Sequence, residues 1–232
     1  MQDRTVREAF LRSVPVMAGY IVLGMGFGIL ARNAGYGVLW AFAMSLLMYA
    51  GSMQYVGIGL MTGGASILNT LLTTVMVNAR HLFYSISMID RYRDAGPYKP
   101  YLIFALTDET YSLLCDGKTP EGTRPHRFRF LVSLFNHSYW VLGSVLGNLL
   151  GSVLPFSTEG IEFSMTALFI ASFVEQWLSS RQHLPAIAGL LGTLACLLVF
   201  GPEGFLIPAM LLITLMLTLL QGRLSAGKEA HS

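Results

Sequence analysis

Apolar residues arrive in long runs along this chain, near 13–31, 38–62, 65–89, 101–115, 130–154, 163–178, 184–200 and 204–221. Most are too long and too uniformly greasy for the helices of a soluble fold. The pattern predicts an all-α integral membrane protein, a single polytopic domain of about eight transmembrane or partly re-entrant helices. The 101–115 run would span only about 22 Å as a helix, which predicts a half-helix or re-entrant segment buried among its neighbours.

The 65–89 run has two faces. At 100° per residue, Ser66, Thr70, Thr73, Thr74, Asn78, Arg80, His81, Tyr84 and Ser85 share one arc. Leu68, Leu71, Leu72, Val75, Met76, Ala79, Leu82, Phe83, Ile86 and Ile89 fill the other, and only Ile67 and Val77 stray onto the polar side. In lipid such a stripe turns inward. Ser66, Thr70 and Thr73 read as hydroxyls that join helices. Arg80 reads differently, because it lies roughly 13 Å from the Ile89 end. A cation at that depth costs about 2.5–3.5 kcal/mol on insertion scales, so it must meet an anion, a carbonyl or an aqueous path.

Two more polar clusters interrupt apolar runs. Tyr49-Ala50-Gly51-Ser52-Met53-Gln54-Tyr55 holds three small residues in a row, where a neighbouring backbone can approach or the helix can unwind. Thr107-Asp108-Glu109-Thr110 holds adjacent carboxylates. Two buried acids cannot both be charged cheaply, so one is expected to pair with a cation, Arg80 by preference, while the other carries a proton. Asn136-His137 and Glu175-Gln176 read as structural or interfacial.

Composition agrees with a membrane protein: 53% of the 232 residues are hydrophobic and 12% charged, against about 25% charged in soluble proteins. The net charge of +2 gives no case for nucleic acid. Cys115 and Cys196 lie in apolar runs and suggest neither a disulfide framework nor a metal site. No Gly-x-x-x-x-Gly-Lys-Ser/Thr or His-Glu-x-x-His stretch occurs, so no P-loop hydrolysis of ATP, metalloprotease chemistry or cofactor is expected. Uphill work would draw on an ion gradient, with His81, Asp108 and Glu109 as the proton-handling groups. The 13–31 run is too long for a signal core.

Charge also bears on topology. Basic residues gather in the N-terminal tail, at Lys118, Arg124, Arg127 and Arg129, at Arg181, and at Arg223 and Lys228. Eight passes would place all of these, and both termini, in the cytoplasm. The 155–162 loop, with Glu159 and Glu162 but no base, would lie outside. Arg91, Arg93 and Lys99 would then also fall outside, a sign that 65–115 does not cross as two plain helices.

Self-comparison aligns Tyr20-Ile21-Val22-Leu23-Gly24 and Gly28 with Tyr139-Trp140-Val141-Leu142-Gly143 and Gly147, at one offset of 119. With small gaps, Ala43-Met44-Ser45, Ala50-Gly51 and Gln54-Tyr55 match Ser164-Met165-Thr166, Ala171-Ser172 and Gln176-Trp177. This predicts two four-helix repeats, 13–115 and 130–221, of the kind transporters use. They would be parallel with four passes each, or inverted if 101–115 is not a full crossing.

Tyr-Ala-Gly-Ser-x-Gln at 49–54, Val-Asn-x-Arg-His-x-x-Tyr-Ser at 77–85 and Thr-Asp-Glu-Thr at 107–110 resemble the hallmark segments of the AzlC family of bacterial branched-chain amino acid exporters. Length and hydropathy agree over nearly the whole chain, and Tyr55, where Phe or Leu is expected, is a minor departure. The resemblance implies the large subunit of an inner-membrane exporter of valine, leucine, isoleucine and sometimes methionine, working with a small AzlD-type membrane protein. For such a zwitterion, Arg80 would take the carboxylate, Asp108 or Glu109 the ammonium, and Met53 with Phe83 the side chain. Ser52, Gln54 and Asn78 would orient it. Two other classes compete: an intramembrane hydrolase with Ser52 as nucleophile and His81 or His137 as base, and a passive channel indifferent to the proton gradient.

Overall fold

A computed structural model describes residues 2–78, 80–153, 183–205, 208–209 and 211–219, with scattered positions between 163 and 178. Glu159, Glu162, Glu175, Gln176, Arg181, Arg223 and Lys228 lie outside the described residues, as do Ala79, the side chains of Met76 and Phe83, and most of the second repeat's matching segment. The regular structure among the described residues is helical throughout. Contacts divide the chain into two units, 1–166 and 167–232.

The first unit is built on two long helices, α1 (Gln2–Asn33) and α8 (Pro125–Val153). Glycines let them touch backbone to backbone. A Cβ on Gly24 would sit 2.9 Å from the Trp140 carbonyl, and one on Gly143 would sit 2.6 Å from the Ile21 carbonyl. Cβ atoms on Gly28 and Gly147 would collide with the backbones of Ser144 and Met25. Gly24 faces Gly143 and Gly28 faces Gly147, so the two helices run parallel, and the residues matched at the offset of 119 pack against one another. Close approach of this kind joins helices where lipid offers no hydrophobic drive.

Between these helices the chain makes two hairpins. The 38–62 run is not one helix: α2 (Val38–Leu47) and α3 (Gly51–Thr62) are separated at Met48–Ala50, where Tyr49 has φ +39°. The chain then doubles back. Gln54 Nε2 donates to Ser45 Oγ across the hairpin at 3.1 Å, and the Tyr55 hydroxyl donates to the Leu23 carbonyl at 2.7 Å. Next come α4 (Ile67–Asn78) and α5 (Arg80–Tyr92). The second hairpin is short, α6 (Lys99–Phe104) and α7 (Asp108–Leu114), turning at Ala105–Thr107 with Thr107 as N-cap.

One end of this unit collects the bases. Arg129 Nη1 donates to the Arg91 carbonyl at 3.0 Å, Gly117 lies against Arg91, Gly122 lies against Arg4, and Arg12 pairs with Asp116 at 2.9 Å. Arg91, Arg93 and Lys99 therefore share the end that holds the N-terminal bases, where an eight-pass count put them at the opposite end.

The unit buries polar groups beside an apolar core and is greasy outside. Ser45, Gln54, Thr110, Ser133, Asn136, Ser144 and Asn148 are buried, whereas Ile67 is 89% exposed, Leu39 78% and Leu47 74%. Leu68, Leu71, Leu72, Val75, Leu82, Ile86 and Ile89 are exposed too, so the apolar face of the 65–89 run points outward as its periodicity predicts. A soluble protein does not present such a surface. Asn148 Nδ2 ties the far end by donating to the carbonyls of Gly28 (3.1 Å) and Tyr36 (3.0 Å). Asn148→Ala is expected to cost about 1–3 kcal/mol, because two carbonyls lose their donor in a dry site. A fall of several degrees in the melting temperature of detergent-purified protein checks this; an unchanged midpoint refutes it.

The second unit holds α9 (Leu184–Gly204), kinked at Gly201 (φ +71°) before Pro202, and a further helical stretch at 211–219. Residues Arg4–Asn33 and Leu184–Pro202 are the described segments long and apolar enough to cross a membrane as single helices.

Candidate functional site

The hairpin tips meet beside α5. Helix α5 begins at Arg80, whose Nη1 donates to Asp108 Oδ2 at the start of α7 and whose Nη2 donates to Ser52 Oγ in the first turn of α3 at 2.6 Å. One guanidinium thus joins a carboxylate of the second hairpin to a hydroxyl of the first. The planar fork allows this, since its donors diverge at fixed angles. Both charged side chains are 28% exposed, so the pair is largely enclosed by its neighbours.

Glu109 turns away from Arg80 towards α1. Its Oε2 accepts from the Tyr20 hydroxyl at 2.7 Å, and that hydroxyl also lies 2.7 Å from Thr107 Oγ1. Thr110 Oγ1 accepts from Asn136 Nδ2 at 3.1 Å, which anchors the acidic turn to α8. The adjacent carboxylates thereby point in different directions: Asp108 faces a cation and Glu109 a phenol.

The remaining candidates sit elsewhere. Gln54 is fully buried and accepts from Trp140 Nε1 at 2.8 Å, so it braces the first hairpin against α8 rather than reaching the ion pair. Met53 is 1% exposed, inside the core of that hairpin. Asn78 donates to the Thr74 carbonyl one turn back, and His81 Nδ1 lies 3.2 Å from the Asn78 carbonyl with its ring edge on Tyr84. Thr70 and Thr74 likewise donate to their own helix, at Ser66 and Thr70. The side chain of Phe83 lies outside the described residues. Ser52 has Arg80, not an imidazole, as its described partner, and no cluster of three or more His, Cys, Asp or Glu able to hold a metal occurs among the described residues.

Sequence reasoning passed over the aromatic residues that frame this site. Tyr20 holds Glu109 and packs edge-on against Tyr49 (6.4 Å between centroids) and Trp140 (5.5 Å). Tyr111 stacks on Tyr84 at 5.0 Å. Tyr20 had a signal, since it opens the repeated segment; Tyr111 had none.

The family profile described as AzlC protein matches residues 15–154, which include the tips of both hairpins and Arg80. The chain is 43% identical over 215 residues to the branched-chain amino acid transport protein AzlC of Bacillus subtilis (strain 168), covering 93% of this chain and 85% of that protein. It is 42% identical to an uncharacterized membrane protein of Haemophilus influenzae, over 97% of this chain and 92% of the relative. The inner membrane protein YgaZ of Escherichia coli (strain K12) is 28% identical over 85% of this chain and 83% of its own length. No solved structure matches.

Proposed function

The chain belongs to the AzlC family, and on that premise we propose that it is a secondary transporter exporting branched-chain amino acids, and methionine with them, across a bacterial inner membrane by exchange for protons. The observation that carries the reading is the Arg80–Asp108 pair, half-buried and held between the tips of two hairpins. A paired cation and anion at depth accept a zwitterion without leaving any charge alone: the substrate carboxylate goes to Arg80 and its ammonium to Asp108. An amine or a keto acid would strand one partner. Ser52 orients the carboxylate side, and Glu109 with His81 handles the proton.

The bases favour one orientation. Arg4, Arg7, Arg12, Arg91, Arg93, Lys99 and Lys118 belong to one end of the first unit and Arg32 to the other, so the basic end faces the cytoplasm together with the N-terminus. In this orientation α2–α3 re-enters from outside and α6–α7 from inside, while α1, α4–α5 and α8 cross; in this reading the 38–62 run, expected as a pass, is re-entrant together with the 101–115 run. A small AzlD-type membrane protein is the proposed partner.

Efflux of preloaded radiolabelled valine, leucine, methionine and a polar control, from cells with and without this chain, tests the reading. Faster loss of the apolar three, slowed by a protonophore, is the expected result. Equal efflux with and without the chain removes the proposal; efflux unaffected by the protonophore removes the coupling.

A further inference from the structure

At the basic end of the first unit two arginines stand together without an acid. Arg129, near the start of α8, donates from Nη1 to the Arg91 carbonyl at 3.0 Å, and Arg91, at the end of α5, turns its own Nη1 to Met88 Sδ at 3.6 Å. Their charges are close enough to repel. Among the described residues no ion pair joins either guanidinium to a carboxylate: Asp116 is engaged by Arg12 and by the Lys118 amide, Asp90 by Arg93, and Glu8, Asp94 and Glu121 pair with neither. A third group adds to the demand. The Tyr92 hydroxyl, on a residue 3% exposed, has no hydrogen-bond partner and lies within electrostatic reach of both cations.

Each guanidinium offers five N–H donors, and the contacts above use one of each. A Cβ on Gly117 would stand 3.3 Å from Arg91 Nε and 3.5 Å from Nη2, so the glycine keeps clear the side with which an arginine grips two oxygens at once. The depth of the pair identifies the anion. Ile86 and Ile89 on α5 are exposed apolar residues, while the Asp90–Arg93 pair just beyond them stands well out in water, so Arg91 sits where the greasy face ends and lipid phosphates begin. We propose that Arg91 and Arg129, with the Tyr92 hydroxyl beside them, form a binding site for the phosphate of an anionic phospholipid. The lipid would join the end of α5, which begins at Arg80, to α8. This site is separate from the hairpin tips, and its assignment does not depend on what the chain transports.

The test titrates delipidated, detergent-purified full-length protein with phosphatidylglycerol, phosphatidylcholine or inorganic phosphate and reads bound lipid by native mass spectrometry and melting temperature. Phosphatidylglycerol is expected to bind and stabilise, and the other two are not. Arg91→Gln and Arg129→Gln are each expected to weaken phosphatidylglycerol binding about tenfold, the loss of a charge-assisted contact. Arg93→Gln, which removes a neighbouring base already paired with Asp90, should change nothing. Should Arg129→Gln fold poorly through loss of its bond to α5, Tyr92→Phe keeps the packing and is expected to weaken binding about fivefold. Equal losses in Arg91→Gln and Arg93→Gln would mean diffuse surface charge, equal binding of phosphatidylcholine would mean no headgroup selection, and inorganic phosphate that binds and stabilises as well as the lipid would mean a site for a free anion; each overturns the proposal. So does unchanged affinity in Arg91→Gln and Tyr92→Phe.

Discussion

Arg80→Ala is expected to lower transport efficiency about 10²-fold, the effect of removing one charge-assisted donor set worth about 1.5–3 kcal/mol from a bound carboxylate. It also leaves Asp108 without its cation. Removing one partner of a buried pair costs about 3–5 kcal/mol, and the 28% exposure of both side chains brings the expectation towards the lower end of that range. Arg80→Lys keeps the charge but cannot serve Asp108 and Ser52 together, so it should retain folded protein and lose most transport. Arg80→Ala with Asp108→Asn should fold better than Arg80→Ala alone, because no unpaired charge remains. Folded yield by size exclusion and efflux per folded molecule separate the two losses. Strict additivity of the single effects would show that the two groups are not coupled.

Gly147→Leu is expected to be the most damaging single change to the fold. The added side chain would occupy the space of the Met25 backbone, and two helix backbones cannot give way as the end of a side chain can. A loss of several kcal/mol follows, as for severe overpacking, and the folded fraction should fall at least tenfold. Gly19→Ala, on the same α1 but with nothing within 4 Å of the new Cβ, is the control. It should be neutral or stabilise slightly, since alanine restricts the unfolded chain. Equal yields from the two variants would mean that the helices do not meet at these glycines.

The ion pair could be read from the sequence, for a physical reason, whereas Gln54, Met53 and Asn78 turned out to lie elsewhere. A charge at membrane depth demands a counter-charge, and few carboxylates were available, so Arg80 led to Asp108 or Glu109, between which only the structure chose. The outward face of Leu68, Leu71, Leu72 and Val75 followed from helical periodicity. The first hairpin could not be read in this way. Hydropathy measures how long a run stays apolar, not whether it reverses, and the 38–62 run turns at Met48–Ala50 without a glycine or proline at the strained position. The traces of the reversal were the small residues Ala50-Gly51-Ser52, where the helix could unwind, and Arg91, Arg93 and Lys99, which stood on the wrong side of an eight-pass count. Self-comparison likewise found Gly24 and Gly28 beside Gly143 and Gly147 as equivalents, but similarity in sequence says nothing about which equivalents touch.

The parallel seam between α1 and α8 joins residues made at different times. Gly143 follows Gly24 by 119 positions, and at roughly 5–20 residues per second of synthesis the first helix waits roughly 6–24 seconds for its mate. During that interval Ser45 and Gln54 have no α8 to bond with, Tyr20 has no Trp140 to pack on, and the glycine face of α1 meets lipid or the insertion machinery. Neither hairpin can settle before α8 arrives, because Trp140, Asn136 and His137 supply the contacts that hold them. Assembly of this half of the protein is therefore decided late, and a ribosome stalled within the 116–124 loop would leave a chain that carries every member of the ion-pair site and lacks the helix that organises it.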